Sequence, residues 1–174
     1  MDHSTGFIQL LVTEAVRDVK KKYENSLERS GPISQYLSDL GKKPGFAITG
    51  LICKHGFDFD SVEDPGKFIA TKLCPILFGA QVTASSNCVN KNIIITVSKI
   101  NQTPWFSIFN STMNSEQQFW LDCYASFFQG VFTGAITHMG YKSSPSYEYL
   151  PNGQLIFKFP IEELSQTWEF SAMN

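Results

Sequence analysis

The sequence predicts an α+β fold, a small twisted antiparallel sheet of about four strands packed against four or more helices. Three observations carry this expectation. The first half of the chain repeats apolar residues at helical spacing in three successive segments. Its middle turns to β-branched and alternating residues. The stretch from Tyr124 to Phe159 then joins an almost wholly apolar helix to a hairpin. An order of helix, helix, helix, strands, helix, hairpin keeps helices and strands in separate runs, as when helices are laid over an antiparallel sheet. With 174 residues, 43% of them hydrophobic, and no low-complexity tract, the chain 1–174 reads as a single domain.

Thr5 or Ser4 can cap a first helix running through about Tyr23. On a helical projection Ile8, Val12, Ala15, Val16, Val19 and Tyr23 form one stripe. Phe7, Leu10 and Leu11 fall to one side of it, beyond Glu14 and Asp18. That second group is either the margin of a wide core stripe or a separate face offered to a partner. Lys20, Lys21 and Lys22 suit the helix C-terminus, where positive charge complements the macrodipole.

Ser30 and Pro32 open a second helix with Ile33, Tyr36, Leu37 and Leu40 on one face. Gly41, Gly45 and Gly50 punctuate it, and Pro44, which lacks an amide donor, is expected to kink or break it. No strand precedes these glycines and no G-x-x-x-x-G-K-[ST] contains them, so they read as helix-packing positions, not a phosphate loop. The loop HGFDFDSVEDPG gathers Asp58, Asp60, Glu63 and Asp64, but lacks the alternating ligands, central glycine and closing glutamate of a calcium loop. It reads as a solvated acidic loop. Pro65 begins a third helix whose buried stripe is Phe68, Ile69, Leu73, Leu77 and Phe78, with Pro75 distorting its last turn.

Asn92 to Ser98, NIIITVS, has the β-branched content and length of a strand, and Gln81 to Ala84 reads as a weaker strand beside it. TPWFSIF, with Trp105, Phe106, Ile108 and Phe109, is expected to be extended. A long helix then begins at Asn114 or Ser115, where a side-chain oxygen can cap the first turn, and runs to about Gly140. Phe119, Trp120, Leu121, Tyr124, Phe127, Phe128, Val131, Phe132, Ala135, Ile136 and Met139 cover most of its circumference, so it is expected to be buried on nearly every side. Gly130 and Gly134 share a face, and each costs about 1 kcal/mol of helix stability relative to Ala. Close approach of another backbone is the expected compensation. Beyond it, Tyr147 and Tyr149, then Leu155, Phe157 and Phe159, alternate around Pro151-Asn152-Gly153, a hairpin signal.

Several function classes are disfavoured on the same residues. A net charge of −2 gives no basic face for nucleic acid. Asp122, Gln118, Gln129 and His138 interrupt the long helix well short of a membrane span. The start of the chain does not read as a signal peptide, so a cytoplasmic protein is expected. In that compartment Cys53, Cys74, Cys88 and Cys123, without C-x-x-C spacing, read as buried thiols. His3, His55 and His138 form no H-E-x-x-H and no G-x-S-x-G accompanies a base. No catalytic residue, metal site or cofactor is expected.

The order of elements and the residues themselves resemble the small subunits of the transport protein particle, TRAPP, the family often called bet-three. GFIQLLVTEAVRDVKKKYE is similar to that family's first helix, and LSDLGKKPGFAITGLI to its L-x-x-x-G-x-x-x-G second helix, with Leu37, Gly41 and Gly45 in place. Lys67-Phe68-Ile69 followed by ILFG resembles the third helix. FFQGVFTGAITHMGY and the strand ending in FKF resemble its last helix and terminal hairpin. The resemblance covers about residues 6–163. ASF, THMGY and FKF are most similar to the branch of the yeast thirty-one-kilodalton subunit. Two features depart from the pattern: Pro44 stands where an aliphatic residue is usual, and the loop before helix three lacks the cysteine that is acylated in the founding member.

The resemblance implies a bet-three-like, non-enzymatic structural subunit of a complex that tethers vesicles and promotes nucleotide exchange on a Rab GTPase in transport from endoplasmic reticulum to Golgi. Its implied partners are sister subunits, bound as a heterodimer or homodimer through helices one and two, a Rab GTPase met through the assembled complex, and a membrane touched peripherally at the ER or cis-Golgi. Phe7, Leu10, Leu11, Ile33, Tyr36 and Leu40 are the expected partner interface; Gly41, Gly45, Gly130 and Gly134 are the expected helix-packing residues. An alternative is a binding domain for an apolar small molecule or acyl chain, lined by Phe68, Phe127, Phe128 and Phe132, residues that core packing explains equally well.

Overall fold

The computed structural model describes residues 3–23, 30–54, 64–79, 82–103, 106 and 113–163, with the side chains of 3–9, 11, 23, 30, 31 and 163 outside that description. Among the described residues, four helices lie over a five-stranded antiparallel sheet, the α+β arrangement expected from the order of segments. Helix α1 is His3–Tyr23 and α2 is Ser30–Cys53. Helix α3 is composite: Asp64–Phe68, a π-helical turn Ile69–Leu73, and Cys74–Phe78. Helix α4 is Ser115–His138. The strands are β1 Thr83–Val89, β2 Asn92–Ser98, β3 Tyr141–Ser143, β4 Ser146–Leu150 and β5 Gln154–Glu163.

The sheet is four ribbons wide. β1 pairs with β2, β2 with one edge of β5, and β3 and β4 together take the other edge. Ser143 lies opposite Ile161 and Ser146 opposite Lys158. The register therefore continues across the break at Ser144-Pro145, where Pro145 has no amide to give to the ladder. Gln129 of α4 donates to the freed Pro145 carbonyl at 2.6 Å, and Ser143 Oγ donates to Pro160 O at 2.8 Å. The β4–β5 turn falls on Pro151-Asn152-Gly153, with Gly153 in the left-handed region at φ 78°. The weaker strand expected at Gln81–Ala84 lies further along, at Thr83–Val89, because Asn90 and Lys91 (φ 52° and 59°) form a two-residue turn that sets the register with β2.

Alternation sorts the sheet into two faces. Ile93, Ile95 and Val97 of β2 and Leu155, Phe157 and Phe159 of β5 are wholly buried. Phe132 of α4 meets Phe157 edge-on, with ring centroids 4.9 Å apart, and α3 closes over Ile93 and Ser86. All five residues of the expected α3 stripe are buried. The distortion attributed to Pro75 lies one turn earlier than expected. Its ring crowds the carbonyl four residues back, and the wide π turn, in which Cys74 N–H donates to Ile69 O, absorbs that conflict.

Pro44 does not break α2, contrary to expectation, and the helix runs through it for 24 residues. Proline removes one hydrogen bond, to the carbonyl of the exposed Leu40. The same stretch is held along its length by α4, its most extensive helix contact. Of the segment expected to be extended, Phe106 is fully buried; Trp105, Ile108 and Phe109 lie outside the described residues, as do Asp58, Asp60 and Glu63 of the acidic loop.

Candidate functional site

The centre of the molecule is the crossing of α2 and α4. Asn114 caps α4 through a reciprocal pair of bonds with Gln117, the 2.8 Å bond from Gln117 N to Asn114 Oδ1 and the 3.0 Å bond from Asn114 N to Gln117 Oε1. Further along, a Cβ added at Gly130 would stand 2.0 Å from Ser38 O, and one at Gly134 2.0 Å from Lys42 O. From the other side, a Cβ added at Gly41 would stand 2.2 Å from Phe127 O and one at Gly45 2.0 Å from Val131 O. Two glycines on each helix thus let the backbones touch, which accounts for four residues that each weaken a helix in isolation.

The expected interface residues divide. Leu10 is 57% exposed, Tyr36 49% and Leu40 38%. Ile33 is only 2% exposed and belongs to the same core cluster as Val12, Val16 and Val19, so it completes this chain's own core and is not presented to a partner. One helical face pattern had placed it with Tyr36 and Leu40; α1 covers the start of that face. The side chains of Phe7 and Leu11 lie outside the described residues. Leu51, 60% exposed, was not anticipated, although its spacing shows it: Tyr36, Leu40, Pro44, Ala47 and Leu51 recur along one side of α2, away from the glycines. Phe46, also exposed, lies off that stripe and meets His138 edge-on at 4.6 Å. The four phenylalanines considered for an apolar cavity, Phe68, Phe127, Phe128 and Phe132, are all buried in the core, with Phe128 stacked obliquely on Phe78 at 4.7 Å.

A second feature of α4 escaped the sequence reading. Gln118, Asp122, Ser126, Gln129 and Thr133 repeat at i, i+4, i+8, i+11 and i+15, a polar seam on an otherwise apolar helix. It faces the strand formed by β3 and β4. Asp122 Oδ1 accepts from Gln118 Nε2 at 3.1 Å and from Tyr147 Oη at 3.2 Å. Burial holds the Asp122 carboxyl above its usual range, and burial beside Asp122 pushes the Tyr147 phenol well up. Next to them is a groove of about 310 Å³ between α4 and the β4–β5 hairpin.

Burial also governs the thiols. Cys74 is 1% exposed and raised far above an ordinary thiol; Cys123, 2% exposed, is pushed up to about 12 by burial and the neighbouring Asp122 charge. Among the described residues no three His, Cys, Asp or Glu side chains are grouped so as to hold a metal ion, and no helix is long and apolar enough to cross a membrane.

A family model described as "Transport protein particle (TRAPP) component" matches residues 8–161 of this chain. Comparison with curated proteins gives no match. Among solved structures, the fold is similar to a trafficking protein particle complex subunit 3 from Naegleria fowleri, described as covalently bound to palmitic acid. The TM-score is 0.72 at 16% sequence identity, over 94% of this chain and 98% of that one.

Proposed function

This chain belongs to the TRAPP component family, and from that membership we propose that it is a non-enzymatic structural subunit of a vesicle-tethering complex, pairing with a sister subunit through the outer faces of α1 and α2. The observation that carries the reading is the stripe of Tyr36, Leu40 and Leu51, 49%, 38% and 60% exposed, with Leu10 on α1 57% exposed. Large apolar side chains aligned along one helix are what an obligate helical interface buries. In the assembled complex the chain contributes to nucleotide exchange on a Rab GTPase, works in the cytoplasm, and meets ER or cis-Golgi membranes peripherally. Within the family, the motifs ASF, THMGY and FKF favour the branch of the yeast thirty-one-kilodalton subunit.

The test is sedimentation of the wild type and Leu40→Asp, each alone and mixed with candidate sister subunits. A carboxylate in a desolvated contact costs on the order of several kcal/mol, whereas at a half-exposed position it leaves the fold intact. The variant is expected to fold and remain monomeric while the wild type associates. A wild-type chain that stays monomeric with every sister subunit refutes the reading. The second reading, an acyl-chain binder, draws on the palmitic acid described for the Naegleria fowleri protein. Against it, the phenylalanines that would line a channel here are all buried in the core, Phe127 against Phe128, and Phe128 and Phe132 against Phe78, and native mass spectrometry of the purified chain separates the two.

A further inference from the structure

We infer that the groove between α4 and the β4–β5 hairpin is a docking site for an arginine side chain presented by a partner protein. It lies on a different surface from the α2 stripe and does not depend on the association proposed there. Gln118 and Asp122 of α4 form one wall, Tyr147, Glu148 and Tyr149 of β4 the other, and Met113 one end. The charges lining it are both negative, and they are not equally satisfied. Glu148 is matched on the sheet surface by Lys158 at 2.9 Å. Asp122 is half-buried, and the two hydrogen bonds to its carboxylate come from neutral groups and fall on the same oxygen, Oδ1. Oδ2 has no hydrogen-bond partner among the described residues, and no cation is paired with the carboxylate among them.

A partly desolvated carboxylate without a counter-ion is an unfavourable arrangement for an isolated chain, and a cation entering the groove relieves it. The walls select which cation. Tyr147 and Tyr149 offer aromatic rings, and Met113 an apolar surface, to the methylene stem of a long side chain; an inorganic ion uses neither. Guanidinium fits better than ammonium because it is planar, weakly hydrated, able to lie on a tyrosine ring, and can donate to Oδ2. A groove of about 310 Å³ holds such a side chain with room for the backbone that carries it.

The test is an NMR titration of the isotope-labelled full chain with Nα-acetyl-arginine amide, against its neutral isostere Nα-acetyl-citrulline amide, the lysine amide and calcium chloride. Arginine amide is expected to shift the resonances of Gln118, Asp122, Tyr147 and Tyr149 saturably, about fivefold or more tightly than citrulline or lysine amide. Asp122→Asn keeps the Oδ1 acceptor and so keeps the hydrogen bonds to Gln118 and Tyr147, and it is expected to weaken the arginine response by a similar factor. Absence of saturable shifts, equal shifts from citrulline, an unchanged response in Asp122→Asn, or tighter saturation by calcium would each overturn the assignment. All four are read on the chain alone, so they separate from any failure of the α2 interface.

Discussion

Gly134→Ala tests the α2–α4 crossing most directly. On an open helix face the change would gain about 1 kcal/mol of helix propensity. Here the new Cβ would stand 2.0 Å from Lys42 O and 2.8 Å from Phe46 N. Ordinary carbon–oxygen contact needs about 3.3 Å, so the helices must part by more than about 1 Å. Both obstacles are backbone and neither can swing aside. Overpacking a rigid contact costs about 3 kcal/mol, at the upper end of its usual range, which leaves a net loss of about 2 kcal/mol after the propensity gain. In a chain of this size that lowers the melting temperature by roughly 4–8 °C. Gly50→Ala on the same pair of helices is the internal control. Its nearest obstacle is the His138 ring, 2.9 Å away at Cε1, which can turn, so its melting temperature is expected to stay level or rise slightly. Thermal unfolding followed by far-ultraviolet circular dichroism reads both. A Gly134→Ala protein that melts at or above the wild type would refute the close crossing.

Pro44→Ala restores an amide donor in the middle of α2 and is expected to raise the urea midpoint without changing its slope; a lowered midpoint would mean that α2 requires the proline. Burial raises the Asp122 carboxyl above the ordinary 3.8, so the fold favours its protonated form, and the contribution is greatest below pH 3.8 and falls as pH rises through the raised value. Asp122→Asn should therefore be at least as stable as the wild type at pH 7, with the difference closing as pH falls towards 3.8; a difference that widens in acid would contradict this. Iodoacetamide at pH 8 should label Cys53 and Cys88, both half-buried, well before the buried Cys74 and Cys123, as read by peptide mass spectrometry. Labelling of Cys74 in the native protein at the rate of Cys88 would show that α3 opens.

What the sequence disclosed follows from how far each signal reaches along the chain. The limits of α4, its cap at Asn114 and the turn at Gly153 depend on neighbouring residues and were legible. The glycines stood out because a costly residue at helical spacing asks for a tertiary reason, which Ser38 and Lys42 supply. The register of β1 was missed because Asn90-Lys91 lacks the glycine that usually marks a two-residue turn. Ile33 was misplaced because a helical projection shows that residues share a face, not where a third helix ends its cover. Pro44 misled because a local penalty was weighed without the packing that outweighs it. The polar seam was in plain sight, yet Gln118, Asp122 and Gln129 counted only as interruptions to apolar character until the strand they face was known.

A fold shared with another protein at 16% identity and a TM-score of 0.72 demands few particular residues, and in this chain the seam and the crossing carry two of the demands it does make. Helix α4 is enclosed by α2 on its glycine face, by the sheet on its phenylalanine face and by β3 and β4 on its polar seam. Each of those contacts constrains residue size or hydrogen-bonding type along one line of the helix. The outer stripe of α2 and Asp122 Oδ2, which has no hydrogen-bond partner among the described residues, satisfy no such internal demand. Positions under no such demand can change without cost to the fold, so the partner contacts proposed for Leu40, Leu51 and Asp122 must be tested on these residues themselves and not read from the fold they sit on.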